Sequence, residues 1–312
     1  MARCLNRHSN MVCGPESSLF ARPQLFSDWS KFKSRIARKT VFKLKNHGWH
    51  RYYGVQLDPE FYQIQPKELK TLIQQAKSYS NFLTVLDSHI ATHYEVEQWV
   101  EKTPSNANSF DSILRELPYA RLILTVRNPY DAIASLMNRG YSTVYATAWY
   151  LMNISTGYVD DSRVMTVTYE DMVTDPTDTL IRVCNHIELE FEDSMLHPEN
   201  QNITMDGWRY DETGEIGQDS IGRFRDLDNT QKSNVIHAVH SLGISPLYKS
   251  IGSKPRFSRI EDICKTFNYE YIPPSTKKGR FWIRKELAAE SFTRTWKRYP
   301  TSIGNFPIII SR

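Results

Sequence analysis

The sequence has no paired cysteines, no long apolar run, no marked excess of either charge and no glycine-rich phosphate loop. Each absence removes a class of function. Cys4, Cys13, Cys184 and Cys264 are scattered without a CxxC pair, which fits neither zinc-ligand spacing nor a dense disulfide framework. Buried free thiols are the expectation. No stretch approaches the roughly 20 apolar residues of a membrane span; the longest candidates, Leu122–Val126 and Ile308–Ile310, are strand-sized. The formal net charge of +4 is too small to argue for nucleic acid, and no basic-aromatic module or zinc-finger spacing accompanies it. No nucleic-acid partner and no metal are therefore expected. A GxxxxGK[ST] loop is absent, which counts against a nucleotide kinase. Met1 is followed by Ala-Arg-Cys-Leu-Asn-Arg, unlike a signal peptide, so the two sequons at Asn153 and Asn202 carry little weight and the default compartment is the cytoplasm.

What is present reads as an ordinary globular chain. Its 312 residues are 40% hydrophobic and 24% charged, enough for one large domain or one domain with an appendage. Residues 1–250 read as an α/β domain and 251–312 as a basic, aromatic extension. A short helix, Ala2–Arg7, leads into Met11-Val12-Cys13 and a turn at Gly14-Pro15. Helix-compatible polar sequence covers Pro23 to about Asn46. Helical periods follow over Gln65–Ser78 and Asn81–His93, then a short strand over Glu97–Lys102 and a helix over Ser105–Leu117 with Ser105 as N-cap. Tyr119–Val126 is an apolar run suited to a parallel strand covered on both faces. Asn128 and Pro129 cap and open the helix after it, Tyr130–Arg139. A second strand, Arg163–Thr168, and a helix, Thr177–Ile187, complete a strand–helix–strand–helix order that argues for a doubly wound parallel sheet with helices on both faces. A last helix lies near Thr230–Leu242. Between Lys277 and Arg298 eight Lys or Arg face two Glu, interleaved with Phe281, Trp282, Phe292 and Trp296. That pattern suits a helix docking through its aromatics, or a site for an acidic glycan or anionic surface.

Arg127 stands at the carboxyl end of a buried strand beside a helix N-terminus, where open α/β sheets bind ligands and where unpaired N–H groups favour an anion. Ser135 lies eight residues on and Arg139 four beyond that, on one helix face. Together they suit a phosphate held by charge-assisted bonds. The same spacing equally suits a solvated arginine and a small packing serine.

Val126-Arg127-Asn128-Pro129-Tyr130-Asp131 with Ser135 resembles the 3′-phosphate-binding segment of sulfotransferases. Glu101-Lys102-Thr103-Pro104 is similar to the Lys-Thr-Pro element of bacterial and Golgi members. Val167-Thr168-Tyr169-Glu170-Asp171 resembles the family's Tyr-Glu-Asp-Leu element, and Ser220-Ile221-Gly222-Arg223-Phe224 its late Ser-x-Gly-Arg-Trp segment. Four elements in order span residues 1 to about 245. Cys13-Gly14-Pro15-Glu16 looks like the turn that carries the catalytic glutamate in tyrosylprotein sulfotransferases and bacterial relatives. The resemblance implies a P-loop-like fold and 3′-phosphoadenosine 5′-phosphosulfate as donor, with Glu16 as base and Lys102 at the departing oxygen. It implies Arg127, Ser135 and Arg139 on the 3′-phosphate, Tyr169 on the adenine, and Ser220 and Arg223 closing over the nucleotide. The acceptor would bear a hydroxyl, with carbohydrate or peptide favoured; its identity and the oligomeric state are not legible.

The carry-over stops at Met1. In the family a strand and a Pro-Arg-Ser-Gly-Thr-Thr loop precede this helix, so the expectation is an internal methionine of a longer gene or a lost segment. Three readings follow: an active sulfotransferase that begins upstream, a truncated or degenerate member without catalysis, and an unrelated phosphate-binding α/β protein such as a nucleotide kinase. The last would need its own phosphate loop and magnesium ligands.

Overall fold

The computed structural model describes residues 1–38, 42–43, 50–52, 55–197, 216–244, 253–275, 281–286, 288 and 308–310. The chain is α/β and forms two compact units. One comprises Met1–Leu122, Asp175–Ile216 and Ile251–Ser253; the other comprises Ile123–Thr174, Gly217–Ser250 and Lys254–Arg312. Among the described residues no helix is long and apolar enough to cross a membrane.

In the first unit a one-turn helix, Ala2–Leu5, leads to the strand Met11–Cys13, which is wholly buried. It pairs in parallel with Gln98–Val100, Met11 opposite Gln98 and Cys13 opposite Val100. The Asn6 side-chain oxygen accepts the Cys13 amide at 2.8 Å, tying the end of the helix to the end of the strand. Parallel strands require a long crossover, and the helices Pro66–Gln75 and Tyr79–Tyr94 lie between them in the chain. Ser78 caps the second of these by accepting the Asn81 amide. Trp29 packs on Phe32 and Tyr79 with ring centroids 5.0 and 5.3 Å apart, and these rings are buried.

Ser105 is not a cap. A 3₁₀ turn, Pro104–Ser109, precedes the helix Phe110–Glu116, and Thr103 takes the position before the turn. The Thr103 hydroxyl is engaged elsewhere, in the network described below.

In the second unit the strand Val164–Thr168 pairs with Leu122–Val126. Burial along Leu122–Val126 alternates: Leu122, Leu124 and Val126 are buried and Thr125 is exposed. Ile123 is half-buried on the same face as Thr125, so the cover on that face is incomplete along this strand. Pro129–Asn138 follows as a helix. Then comes a helix that the sequence did not announce, Thr143–Gly157, in which every residue but Trp149 is buried. A helix apolar on all sides has no amphipathic period to detect. Its polar residues bond inward, as Thr147 and Thr156 donate to the carbonyls of Thr143 and Met152 at 2.8 Å. Asn153, the first sequon asparagine, is buried in it.

Asn229–Ser241 carries a capping box between Asp228 and Gln231. The strand after it, Leu242–Ile244, pairs antiparallel with Ile308–Ile310. Ile283 is buried among Val144, Ala148, Ala238 and Leu242, with Trp282 packed against the group, while Phe281 is 78% exposed. Phe292 and Trp296 lie outside the described residues, as does the second sequon.

Candidate active site

The first unit holds Glu16 and Lys102 together. Glu16 follows the strand Met11–Cys13 and Lys102 follows its parallel partner, so the sheet register places the two ends side by side. The Lys102 ammonium donates to Glu16 Oε1. Both side chains keep contact with solvent, at 31% and 44% exposure, so the pair itself adds little to stability. What fixes it is the neighbouring carboxylate. Glu101 Oε1 accepts the Ser17 amide at 3.0 Å, the Ser17 hydroxyl at 2.7 Å and the Thr103 hydroxyl at 2.7 Å. Its other oxygen accepts the Asn106 side-chain amide. Thr103 Oγ1 in turn accepts the Ser18 amide at 3.0 Å. The residue after Glu16 is thus bonded to the residue before Lys102, and the arms of the ion pair cannot separate without breaking this network. Gly14 supplies room: a Cβ there would lie 2.3 Å from the Phe61 ring. Burial, then the Glu101 charge, pushes the Cys13 thiol up to about 12, which makes it inert.

The second unit holds the corner around Arg127. Arg127 follows the strand, and Asn128 caps the helix Pro129–Asn138 by accepting the Tyr130 amide at 3.0 Å, with proline at the first helical position. The Arg127 guanidinium donates to the Ser220 carbonyl and lies over the Tyr169 ring at 4.7 Å. Its Nε is buried and has no hydrogen-bond partner among the described residues. Burial lowers the guanidinium pKa from its ordinary value; Asp131 counters this and Arg223 adds to it. Asp131, 6% exposed, accepts the Gly222 amide at 2.7 Å and the Phe224 amide at 2.9 Å. The Ser220–Phe224 loop is thereby hung on the first turn of the helix. Gly222 sits at φ +84°, which a side chain would strain, and this lets both amides point at one carboxylate. Arg223 Nη1 then donates to Ser135 Oγ at 3.0 Å.

The sequence-derived residues are therefore grouped as pairs. Glu16 meets Lys102, Arg127 meets Ser220 and Tyr169, and Ser135 meets Arg223. Arg139 is exposed at the carboxyl end of the helix, one turn past Ser135. Tyr169 presents its face to Arg127. Sequence reasoning missed Glu101 and Asp131 as organisers. Asp131 had a signal, an acidic residue in a helix first turn, whereas Glu101 was visible only as the neighbour of Lys102. Among the described residues no group of three or more His, Cys, Asp or Glu could hold a metal.

Comparison with known proteins adds the family. A model described as "Sulfotransferase family" matches residues 1–193. The sulfotransferase domain of the Synechococcus PCC 7002 olefin synthase has a similar fold, with TM-score 0.53, 15% identity, and 87% of this chain and 90% of that one covered. The sulfotransferase domain from the curacin biosynthetic pathway aligns with TM-score 0.48 at 16% identity, over 87% of this chain and 93% of that one. A search of curated proteins gives no match. The family match covers more than half the chain and the fold is of the same α/β kind: this chain belongs to the sulfotransferase family.

Proposed function

We propose that the protein moves a sulfuryl group from 3′-phosphoadenosine 5′-phosphosulfate to an acceptor hydroxyl, with a carbohydrate or peptide as the acceptor. The observation that carries this reading is the Arg127 Nε, buried and without a hydrogen-bond partner among the described residues, near Arg223, which donates to Ser135. A buried donor without an acceptor costs about 1–3 kcal/mol, and a phosphate oxygen would satisfy it. These residues fit a nucleotide 3′-phosphate: Arg127 and Arg223 supply cationic donors, and Ser135 a hydroxyl.

The donor supplies an activated sulfuryl group and a stable leaving oxygen. Glu16 accepts the proton of the acceptor hydroxyl as that oxygen bonds to sulfur. Lys102 faces the departing bridging oxygen and balances its charge. Their pairing keeps base and cation in one place, held by Glu101. Tyr169 supports the Arg127 guanidinium from below, and the Ser220–Phe224 loop closes the corner.

The test is a calorimetric titration with adenosine 3′,5′-bisphosphate, with adenosine 5′-phosphate and the Arg127→Ala variant as controls. The expected result is binding that needs both the 3′-phosphate and Arg127, weakened at least tenfold without either. Equal affinity for the two nucleotides would overturn the donor assignment.

A further inference from the structure

The Arg127 corner is braced from a part of the chain far from it in sequence. The Tyr150 hydroxyl donates to the Arg127 carbonyl at 2.7 Å. Glu170 Oε1 accepts the Asn128 amide at 2.9 Å. That carbonyl and that amide belong to one peptide unit, which is planar. Holding both edges of the plane fixes ψ of Arg127 and φ of Asn128, and so the direction in which the arginine leaves the strand. Tyr150 is buried in the Thr143–Gly157 helix and cannot shift. Glu170 is held by the other end of its own carboxylate: Oε2 accepts the Tyr269 hydroxyl at 2.7 Å.

Tyr269 is delivered by a helix ending. The helix Ile260–Thr266 closes with the Phe267 amide on the Ile263 carbonyl at 3.0 Å and the Tyr269 amide on the Cys264 carbonyl at 2.8 Å. Asn268 between them is left-handed, at φ 55°. The second of these is the six-to-one bond of a Schellman ending, with asparagine in the left-handed place usually taken by glycine. It reverses the chain and points it toward Glu170. Three residues later the Ile272 amide donates to the Tyr130 hydroxyl at 2.8 Å. The segment is thus fastened at Tyr269, to the carboxylate that holds the Asn128 amide, and again at Ile272, to Tyr130. Burial raises the pKa values of the Tyr150 and Tyr269 phenols above the ordinary 10.0, and neighbouring charges add to this, so both stay protonated donors across the neutral range.

From these contacts we infer that Asn268–Ile272 is a strap that positions Arg127, with Glu170 and Tyr269 as positioning residues acting through the Arg127–Asn128 peptide. The inference rests on the reading of Arg127 as the 3′-phosphate ligand, and neither Glu170 nor Tyr269 touches the nucleotide in it. The strap belongs to the region that the sequence alone reads as an extension.

Tyr269→Phe removes one hydroxyl and keeps the ring. In the whole chain it weakens adenosine 3′,5′-bisphosphate about fivefold to tenfold, a part of what one bond to a charged group is worth because the loss reaches the ligand only through Arg127, and leaves adenosine 5′-phosphate unchanged. Equal weakening of both nucleotides, or of neither, would overturn the strap. A second arm needs no nucleotide: hydrogen exchange at the Asn128 amide rises several-fold in Tyr269→Phe, and unchanged exchange also overturns it. If the unaltered chain shows no preference for the bisphosphate, the donor reading fails by itself and the exchange arm alone decides the strap.

Discussion

Gly14→Ala tests how tightly the Glu16 turn is built. An added Cβ would meet Phe61 Cε1, Cζ and Cδ1 at 2.3, 2.5 and 2.7 Å. Carbon pairs rest at about 3.5–4.0 Å, so ring and backbone must part by more than about 1 Å. The ring has little room to retreat. Phe61 is buried, stacked on Tyr94 at 5.3 Å and set edge-on against Tyr62 at 4.9 Å. Tyr94 is itself tethered, its hydroxyl donating to the Phe61 carbonyl at 2.7 Å. The backbone on the other side is held by the pairing of Cys13 with Val100 and by the bond from Asn6. Overpacking of this kind costs about 2–3 kcal/mol, which lowers a urea midpoint by about 1 M at an ordinary slope. Phe61→Leu shortens the obstructing side chain. The double variant should therefore lose at least about 1 kcal/mol less than the sum of the two single changes. Equilibrium urea unfolding of the four proteins measures this. An unchanged midpoint for Gly14→Ala, or strict additivity, would refute the close approach.

Two further outcomes follow from buried polar and ionisable groups. Asp131→Asn keeps one acceptor for the amides of Gly222 and Phe224 but turns an NH₂ toward the other. It should cost about 2–3 kcal/mol in chemical unfolding and weaken adenosine 3′,5′-bisphosphate as the Ser220–Phe224 loop loosens; wild-type stability would remove Asp131 from its organising role. Cys13, with its thiol pushed from 9.0 to about 12, has about one part in 10⁴ as thiolate at pH 8 and should resist iodoacetamide until the chain is unfolded. Because the folded state favours the neutral thiol, its contribution to stability is complete below pH 9 and is lost as pH rises toward 12. Rapid alkylation of native Cys13, read by peptide mass, would contradict its burial.

The sequence made the local elements around the phosphate corner legible. Asn128 and Pro129 announced a helix start through their own chemistry, and the apolar run ending at Val126 announced a strand. Helices with one wet face, such as Pro66–Gln75, showed their period; Thr143–Gly157, buried on nearly every side, showed none. Ser105 was misread because Thr103, which looks like an ordinary turn residue, uses its hydroxyl on Glu101 and Ser18. Such a choice depends on partners 85 residues apart. The same limit hid Tyr269. Its ring has no local signature, and it matters only because a left-handed asparagine turns it toward a carboxylate 99 positions away. The proposed ligand residues came with motifs; Glu101, Asp131 and Glu170 stood in the same motifs without a sign of their backbone bonds, and Tyr269 stood in none.

The way charge is distributed around Arg127 bears on whether the corner is a binding site or a structural device. Arg127 is half-buried with a buried Nε, and an arginine in such a place that only supports a fold is normally paired with a carboxylate. Asp131 is the strongest favourable charge near Arg127, yet both of its oxygens are used on the backbone amides of the Ser220–Phe224 loop. Glu170 is likewise committed, to the Asn128 amide and the Tyr269 hydroxyl. Among the described residues Arg127 is left with a carbonyl and a ring face, a Nε without a partner, and a second guanidinium near enough to oppose it. The carboxylates in this corner shape the backbone instead of neutralising the arginines. Packing does not account for that arrangement, since a neutral side chain would fill the space without the desolvation. An anion that brought several acceptor oxygens between Arg127 and Arg223 would complete the arrangement, and the proposed nucleotide 3′-phosphate is such an anion.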